Sequence, residues 1–158
     1  PPERTVDGST RLRVAGRTLE LLHYGWAATP GDLAVLDRDS GVLFAGGLVS
    51  VRRISELRDG RIDGWLEALD RLGRLDARIL VPGHGAPAGP AAIGEMRAYL
   101  LALEAQARAL YDAGASLMEA VDGADLPGYR DWAMYPATHR KNVQQRYLEL
   151  EVGELERQ

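Results

Sequence analysis

The sequence predicts an α/β layered fold of about five strands with flanking helices and a helical tail. In the first half, short apolar runs alternate with turn residues, which is typical of strands. In the second half, apolar residues recur every three or four positions, which is typical of amphipathic helices. The chain has 158 residues, enough to bury a sizeable core. We therefore predict a single domain over 1–158, with a β-rich half containing one helix over 1–90 and a helical tail over 90–158.

Five apolar segments predict the strands. Ala15-Gly16-Arg17 separates the first two segments and Arg38-Asp39-Ser40 the next two, and both triplets are plausible hairpin turns. The fifth segment is almost continuously apolar, which indicates a strand buried on both faces. The segments in order are RLRVAG, RTLELLHYG, DLAVLD, GVLFAGG and ARILVPG.

One helix is predicted before the fifth strand, in 61–76, and three more follow that strand. The apolar residues of the inserted helix fall on one face: Ile62, Trp65, Leu66, Leu69 and Leu72. A longer helix is expected over about 90–113, because a glycine follows it as a natural stop. Ser116 and Glu119 have the spacing of a capping box, which predicts a short third helix. The last helix should begin near Thr138 or His139.

Composition excludes several kinds of protein. The net charge of −4 argues against a nucleic-acid groove, which needs a basic stripe. No run approaches the roughly 18 apolar residues of a membrane span, and PPERTVDGST has no signal-peptide pattern. We expect a soluble protein of the cytoplasm or periplasm. The chain has no cysteine and only three histidines, so any metal would need His, Asp or Glu ligands.

Three loop-like segments stand out as candidates for chemistry. They are ATPGD at 28–32, FAGGL at 44–48 and VPGHG at 81–85. Each lies at the end of a predicted strand, where ligand sites of α/β layers usually gather.

In order and spacing, these segments resemble the C-terminal half of a metallo-β-lactamase-fold hydrolase, an αββα sandwich. Members of that family typically have HTPGD, FAGD and PGHG at these places, and GWLEALDRL before ARILVPGHG matches their helix-then-strand order. The resemblance covers about residues 5–90. The tail sequence HRKNVQQRYLELE resembles the quinoprotein relay system zinc metallohydrolases, which implies a bacterial protein and favours the periplasm.

The resemblance implies one or two zinc ions in a cleft between two αβ halves. The N-terminal half of the family supplies a His-x-His-x-Asp-His motif, which this sequence lacks. The C-terminal half supplies a His, a bridging Asp and a second His. The metals lower the pKa of a bound water, and the hydroxide attacks an ester, thioester or amide carbonyl.

Carried over residue by residue, the ligand set is degenerate. Ala28 stands at the place of the first His and Gly47 at that of the bridging Asp, so His84 is the one ligand position retained. A catalytic zinc normally needs three protein ligands. We therefore expect no zinc or other cofactor in this chain, no catalytic residue and no activity of the chain alone. The residues expected to line the remaining cleft are Thr29, Asp32, Gly46, Gly47 and His84.

Other readings of these side chains stay open. Asp32 fits a turn residue or a hydrogen-bond acceptor behind a metal ligand. His23 fits a strand-face or hydrogen-bonded histidine, and His139 a solvent-exposed or tail-packing one. His84 itself fits a loop imidazole bonded to a neighbouring backbone group.

Three functions follow from these readings. The first is a metal-free scaffold or interaction module, and the alternative is half of a split or truncated zinc-dependent hydrolase completed by another chain. A binder of small molecules is the third. One sheet face would lack its partner layer and would carry Leu21, Val35 or Leu43, according to strand phase. A large apolar face does not stay open to water, so we expect a homodimer through that face, or an N-terminal half-domain upon it.

Overall fold

The computed structural model describes residues 5–155. Its chain divides into two compact units, the first up to Val51 together with Gly60–Met96, the second Arg52–Asp59 together with the chain from Arg97 onwards. The single domain over 1–158 stays a prediction. None of the helices in the described range has the length and apolar character of a membrane span.

The first unit is a five-stranded sheet with strand order β1-β2-β3-β4-β5. The first four strands form antiparallel neighbours, and β5 runs parallel to β4 after the helix α1. This arrangement confirms the predicted α/β layers and the insertion of one helix before the fifth strand. The bounds are β1 Thr10–Val14, β2 Arg17–Gly25, β3 Asp32–Asp37, β4 Val42–Ser50, α1 Ile62–Leu72 and β5 Ile79–His84.

One face of the sheet is covered and belongs to the core. Leu36, Leu43 and Leu80 lie on it and are fully buried. Trp65, on the inner side of α1, is also fully buried, and its Nε1–H donates to the backbone oxygen of Leu48 at 2.9 Å. The helix therefore both seals the covered face and fixes the last part of β4.

The opposite face, called the open face below, is apolar but uncovered. The register aligns Leu21, Val35 and Phe44 across neighbouring strands, and successive residues of a strand point to opposite faces. Its apolar members include four with 37–51% exposure, and none is buried. They are Leu12, Val14, Leu19, Leu21, Leu33, Val35, Val42, Phe44, Ile79 and Val81.

The open face corrects two predictions. Leu43 does not lie on it: Leu43 pairs with Leu36, one residue out of phase with Val35 and Phe44, and is buried on the covered face. The strand β5 is not buried on both faces either, because Ile79 is 47% exposed while Leu80 is buried. An apolar run therefore indicates a strand with two apolar faces. It does not show which of these faces another layer covers.

The second unit is helical. Its elements are most of α2 (Ala91–Asp112), α3 (Leu117–Asp122), a 3-10 turn (Pro127–Tyr129) and α4 (Tyr135–Leu155). The predicted capping box is present, with Ser116 and Glu119 bonded reciprocally. The helix α4 begins at Tyr135, earlier than predicted, because Pro136 fits a first helical turn, where its missing N–H costs nothing.

Candidate functional site

The first segment forms a tight loop between β2 and β3. Asp32 is 7% exposed, and its two carboxylate oxygens accept from Thr29: the backbone N–H at 2.7 Å and the hydroxyl at 3.1 Å. Ala28 lies inside this loop at 9% exposure. The loop is thus held by its own Thr-Pro-Gly-Asp frame, and it presents a methyl group at the place where the resembled family has a His.

The second segment lies beside this loop, inside β4. A side-chain carbon built on Gly47 would be 3.9 Å from Asp32 Oδ1, so positions 47 and 32 are neighbours. Gly46 has φ +54, in the left-handed region that favours glycine. This backbone conformation of Gly46 places position 47 next to the loop that contains Asp32.

The third segment, at the end of β5, packs against the second. A Cβ at Gly83 would collide with the backbone oxygen of Gly46, and one at Gly85 would be 2.5 Å from the backbone oxygen of Val51. The Val51 N–H donates to the His84 oxygen at 2.9 Å. Glycines are needed here because two backbones approach too closely for side chains. The structure therefore brings the first segment next to the second and the second next to the third, while the cleft itself stays a prediction.

The donor set in this site does not fit a zinc ion by itself. His84 is exposed and is the one imidazole on these three loops, while both Asp32 oxygens already serve Thr29. Within residues 5–155, no group of three or more His, Cys, Asp or Glu side chains is placed to hold a metal. Because zinc needs about three or four protein ligands, no step through a metal follows from the described residues.

The other two histidines lie outside the three loop segments. His23 lies in β2, half-buried, where its backbone N–H donates to Ser9 Oγ at 3.0 Å and its carbonyl accepts from Arg71 at 3.3 Å. His139 belongs to the second unit and is 1% exposed, so its solvent-exposed reading is wrong and its tail-packing reading is right.

Burial turns His139 into a structural side chain. Gln106 Oε1 lies 3.0 Å from His139 Nε2, and the Tyr99 hydroxyl lies 3.2 Å from Nδ1. Since an amide oxygen only accepts, Nε2 carries the proton and Nδ1 accepts from Tyr99. Burial lowers the pKa of His139 to about 4, so the imidazole is neutral near pH 7. The Tyr135 ring stacks on it at 4.7 Å between centroids.

Sequence reasoning missed a polar hollow in the second unit. It measures about 610 Å³, and Asp125, Arg130, Tyr135 and His139 are among its lining residues. Its strongest charges neutralise one another: Arg130 Nε donates to Asp125 Oδ1 at 2.9 Å, and this hydrogen bond keeps the pKa of Asp125 below its usual value. No periodicity or known motif links these residues in the sequence. The paired charges give the hollow no evident charge for attracting a ligand.

Comparison with known proteins bears on this geometry. The family model described as the metallo-beta-lactamase superfamily matches residues 1–84, just over half of the chain. No curated protein sequence matches the chain.

Several solved structures share the fold. A metallo-beta-lactamase family protein from Thermus thermophilus is 23% identical with a TM-score of 0.70, covering 98% of this chain and 51% of its own. The sec-alkylsulfatase Pisa1 from Pseudomonas sp. is 19% identical with a TM-score of 0.71, covering 92% and 26%. A metallo-beta-lactamase from Pontibacter korlensis is 24% identical with a TM-score of 0.59, covering 63% and 49%. The chain thus spans about half, or less, of the length of these structures.

Proposed function

The chain belongs to the metallo-beta-lactamase superfamily, and from that premise we propose that it is a degenerate, metal-free and non-catalytic domain, which acts as a scaffold or interaction module. One observation carries the proposal: the three loop segments of the resembled family are present, while two of their three ligand positions have no side-chain donor atom. Ala28 and Gly47 occupy those positions.

The loop geometry supports a lost site over an unrelated set of loops. The Asp32–Thr29 bonds close the first segment, and the contact of Gly83 with Gly46 joins the other two. Neither Ala nor Gly carries a side-chain atom that binds zinc, so no side-chain rotation supplies the missing ligands. His84 alone falls short of the three protein ligands that a catalytic zinc needs.

Metal content tests this proposal. Purified protein should be incubated with zinc, dialysed to remove unbound metal and analysed by elemental mass spectrometry. It should hold well under one zinc per chain. His84→Ala should leave that value unchanged, as should the control His23→Ala on the half-buried strand histidine. Stoichiometric zinc that disappears in His84→Ala and persists in His23→Ala would overturn the metal-free assignment.

The alternative is half of a split or truncated zinc-dependent hydrolase, whose site an N-terminal half-domain or another chain completes. It is supported by the exposed His84, which leaves one imidazole free of burial on these loops. Under this function, adding a separately produced N-terminal half of a superfamily hydrolase together with zinc should produce ester or thioester hydrolysis. The non-catalytic proposal predicts no turnover above that of the added half alone.

A further inference from the structure

The polar hollow of the second unit carries as many positive as negative side chains. Its lining includes two carboxylates and two guanidiniums: Asp122, Asp125, Arg130 and Arg140. His139 adds no charge near pH 7, because burial lowers its pKa to about 4. A balanced set of this kind offers no attraction to a ligand with a net charge, but it is complementary to a ligand that carries one charge of each sign.

One of the two ion pairs in the hollow is fully engaged. Arg130 Nε donates to Asp125 Oδ1 at 2.9 Å, and a second nitrogen of the guanidinium donates to Oδ2. The Tyr135 hydroxyl also donates to Asp125 Oδ1, at 3.2 Å. A two-pronged pair with a third donor is strong and does not exchange its partners readily. It therefore forms a fixed part of the wall.

The other ion pair is loose. Arg140 Nη1 lies 4.0 Å from Asp122 Oδ1, beyond hydrogen-bond distance, and the two side chains are 56% and 72% exposed. Within residues 5–155, neither side chain has another ion pair. The carboxylate oxygens and the guanidinium N–H groups are therefore available to a ligand at this side of the hollow.

Asp122 is also unfavourable for the helix that carries it. It is the last residue of α3, where the carbonyl end of the helix dipole repels a carboxylate. The last turn of α3 has no basic side chain to offset this repulsion. Residues that break a local rule without stabilising their own element are expected at functional sites. This observation is independent of the hollow and of the loose ion pair.

The spacing of the loose pair fits the charged groups of an α-amino acid. In such a molecule the ammonium nitrogen and the nearer carboxylate oxygen are about 3 Å apart, as standard bond lengths require. Charge-assisted hydrogen bonds of about 2.8 Å can then join the ammonium to Asp122 and the carboxylate to Arg140. These three distances close a four-sided arrangement with the 4.0 Å between the two protein atoms. An amino acid whose charges lie further apart would have to push the pair open.

Apolar groups line the hollow together with the charged ones. Ala124 and Pro136 are among the lining residues, and the Tyr135 ring stacks on His139 with 4.7 Å between centroids. The volume of about 610 Å³ falls within the usual range of small-molecule sites, about 300–1,000 Å³. The hollow therefore has room for an amino acid, with apolar groups to contact its side chain.

We propose that the hollow binds an α-amino acid with an apolar side chain, its ammonium on Asp122, its carboxylate on Arg140 and its side chain against Ala124 and Pro136. Binding replaces one loose ion pair by two charge-assisted hydrogen bonds. The site uses no residue of the three loop segments. It therefore goes beyond the proposed function and does not depend on the metal content of the chain.

Calorimetry with L-leucine tests the class of ligand. The chain should bind L-leucine with a Kd below about 1 mM. N-acetyl-L-leucine lacks the ammonium and L-leucinamide lacks the carboxylate, so each should bind at least about tenfold more weakly. Both compounds keep the apolar side chain, so the comparison separates recognition of the two charges from contact with the apolar groups of the hollow.

Substitutions test the two contacts. Asp122→Asn and Arg140→Gln should each raise the Kd for L-leucine at least about tenfold. Both variants should keep the melting temperature of the parent chain, because exposed ion pairs contribute little to stability. The matched controls Asp112→Asn and Arg108→Gln make the same chemical changes on α2, outside the lining of the hollow, and should leave the Kd unchanged.

Amide NMR of the unmodified chain locates the ligand even if a variant fails to fold. L-leucine should shift the signals of residues 122–125 and 135–140 and leave those of the strands unchanged. Any of four results would overturn the proposal: no saturation by L-leucine near about 1 mM, equal affinity for either modified leucine, an unchanged Kd in Asp122→Asn or Arg140→Gln, or shifts that lie outside the hollow. None of these measurements reads zinc, so the amino-acid site and the metal-free function fail independently.

Discussion

Two histidines in two regions of the molecule differ in what their neighbours permit. His84 stands exposed at the end of β5, on the segment that packs against the Gly46 backbone. His139 lies in the helical unit, buried, with both ring nitrogens bonded to Tyr99 and Gln106. The same side chain is thus available to a ligand in one place and committed to the fold in the other. The difference lies in the surrounding donors and in burial.

The largest effect is expected from breaking the buried network of the helical unit. Asn142 accepts from the Leu57 N–H at 2.9 Å and donates to Ser55 O at 2.8 Å and to the Tyr99 hydroxyl at 3.1 Å. Asn142→Ala strands buried polar groups and should cost about 4 kcal/mol of unfolding free energy, measured by urea denaturation. The exposed neighbour in Gln144→Ala should change it by less than about 0.5 kcal/mol. Equal losses of unfolding free energy in the two variants would show that the hydrogen bonds of Asn142 do not stabilise the helical unit.

Next in size is a pH effect of His139, which should dominate between about pH 6.5 and 5, because carboxylates with lowered pKa values such as Asp125 contribute at lower pH. Its folded pKa of about 4 lies below the ordinary value of 6.5, so the unfolded chain binds the proton more tightly. Stability is fully present above pH 6.5 and falls as pH drops towards 4, by about 3 kcal/mol in total. Urea unfolding at several pH values should show this slope. His139→Gln should flatten it, and a slope that His84→Gln flattens instead would contradict the assignment.

A smaller loss is expected where the loops touch. Gly83→Ala adds a methyl group against the Gly46 backbone, and the two segments have to separate, which should cost about 2 kcal/mol and lower the melting temperature. Gly89→Ala is the control, since nothing lies within 4 Å of its Cβ position. Equal melting temperatures for the two variants would show that the loop contact is dispensable.

The smallest effect tests whether the loop frame still suits a metal. Ala28→His with Gly47→Asp restores an imidazole and a carboxylate at two of the family's ligand positions, and the Cβ of the new aspartate lies 3.9 Å from Asp32 Oδ1. Zinc affinity by calorimetry should rise at least about tenfold, roughly 1.4 kcal/mol. Adding His84→Ala to the double variant should return the affinity to its starting value. If the zinc affinity stays raised after His84→Ala, the zinc does not bind at His84.

The fold was largely predictable because its signals are local. Turn triplets and period-two strands set β1 to β4, and the apolar stripe of α1 placed Trp65 in the core, where it is fully buried. Strand phase was not predictable, since alternation alone does not say which face a layer covers. For that reason the sequence alone did not predict that Leu43 lies on the covered face.

The site was predictable only in part. Short segments located Ala28, Gly47 and His84, and the structure brings their loops together. The burial of His139 depends on Tyr99 and Gln106, which are 40 and 33 residues away in the chain. No local pattern records contacts at that distance. The early start of α4 likewise depends on a proline that sequence spacing alone treats as a break.

The close approach of Gly83 to Gly46 has a consequence for annotation by motif. Gly83 and Gly85 of PGHG are required so that backbone segments can approach, and Gly46 of FAGG has a positive φ, whatever the loops bind. Searches weighted towards these glycines will therefore retrieve proteins that share an architecture, including ones without catalysis. Transferring a hydrolase label to a new sequence calls for inspection of the residues equivalent to 28 and 47, which report on chemistry and not on shape.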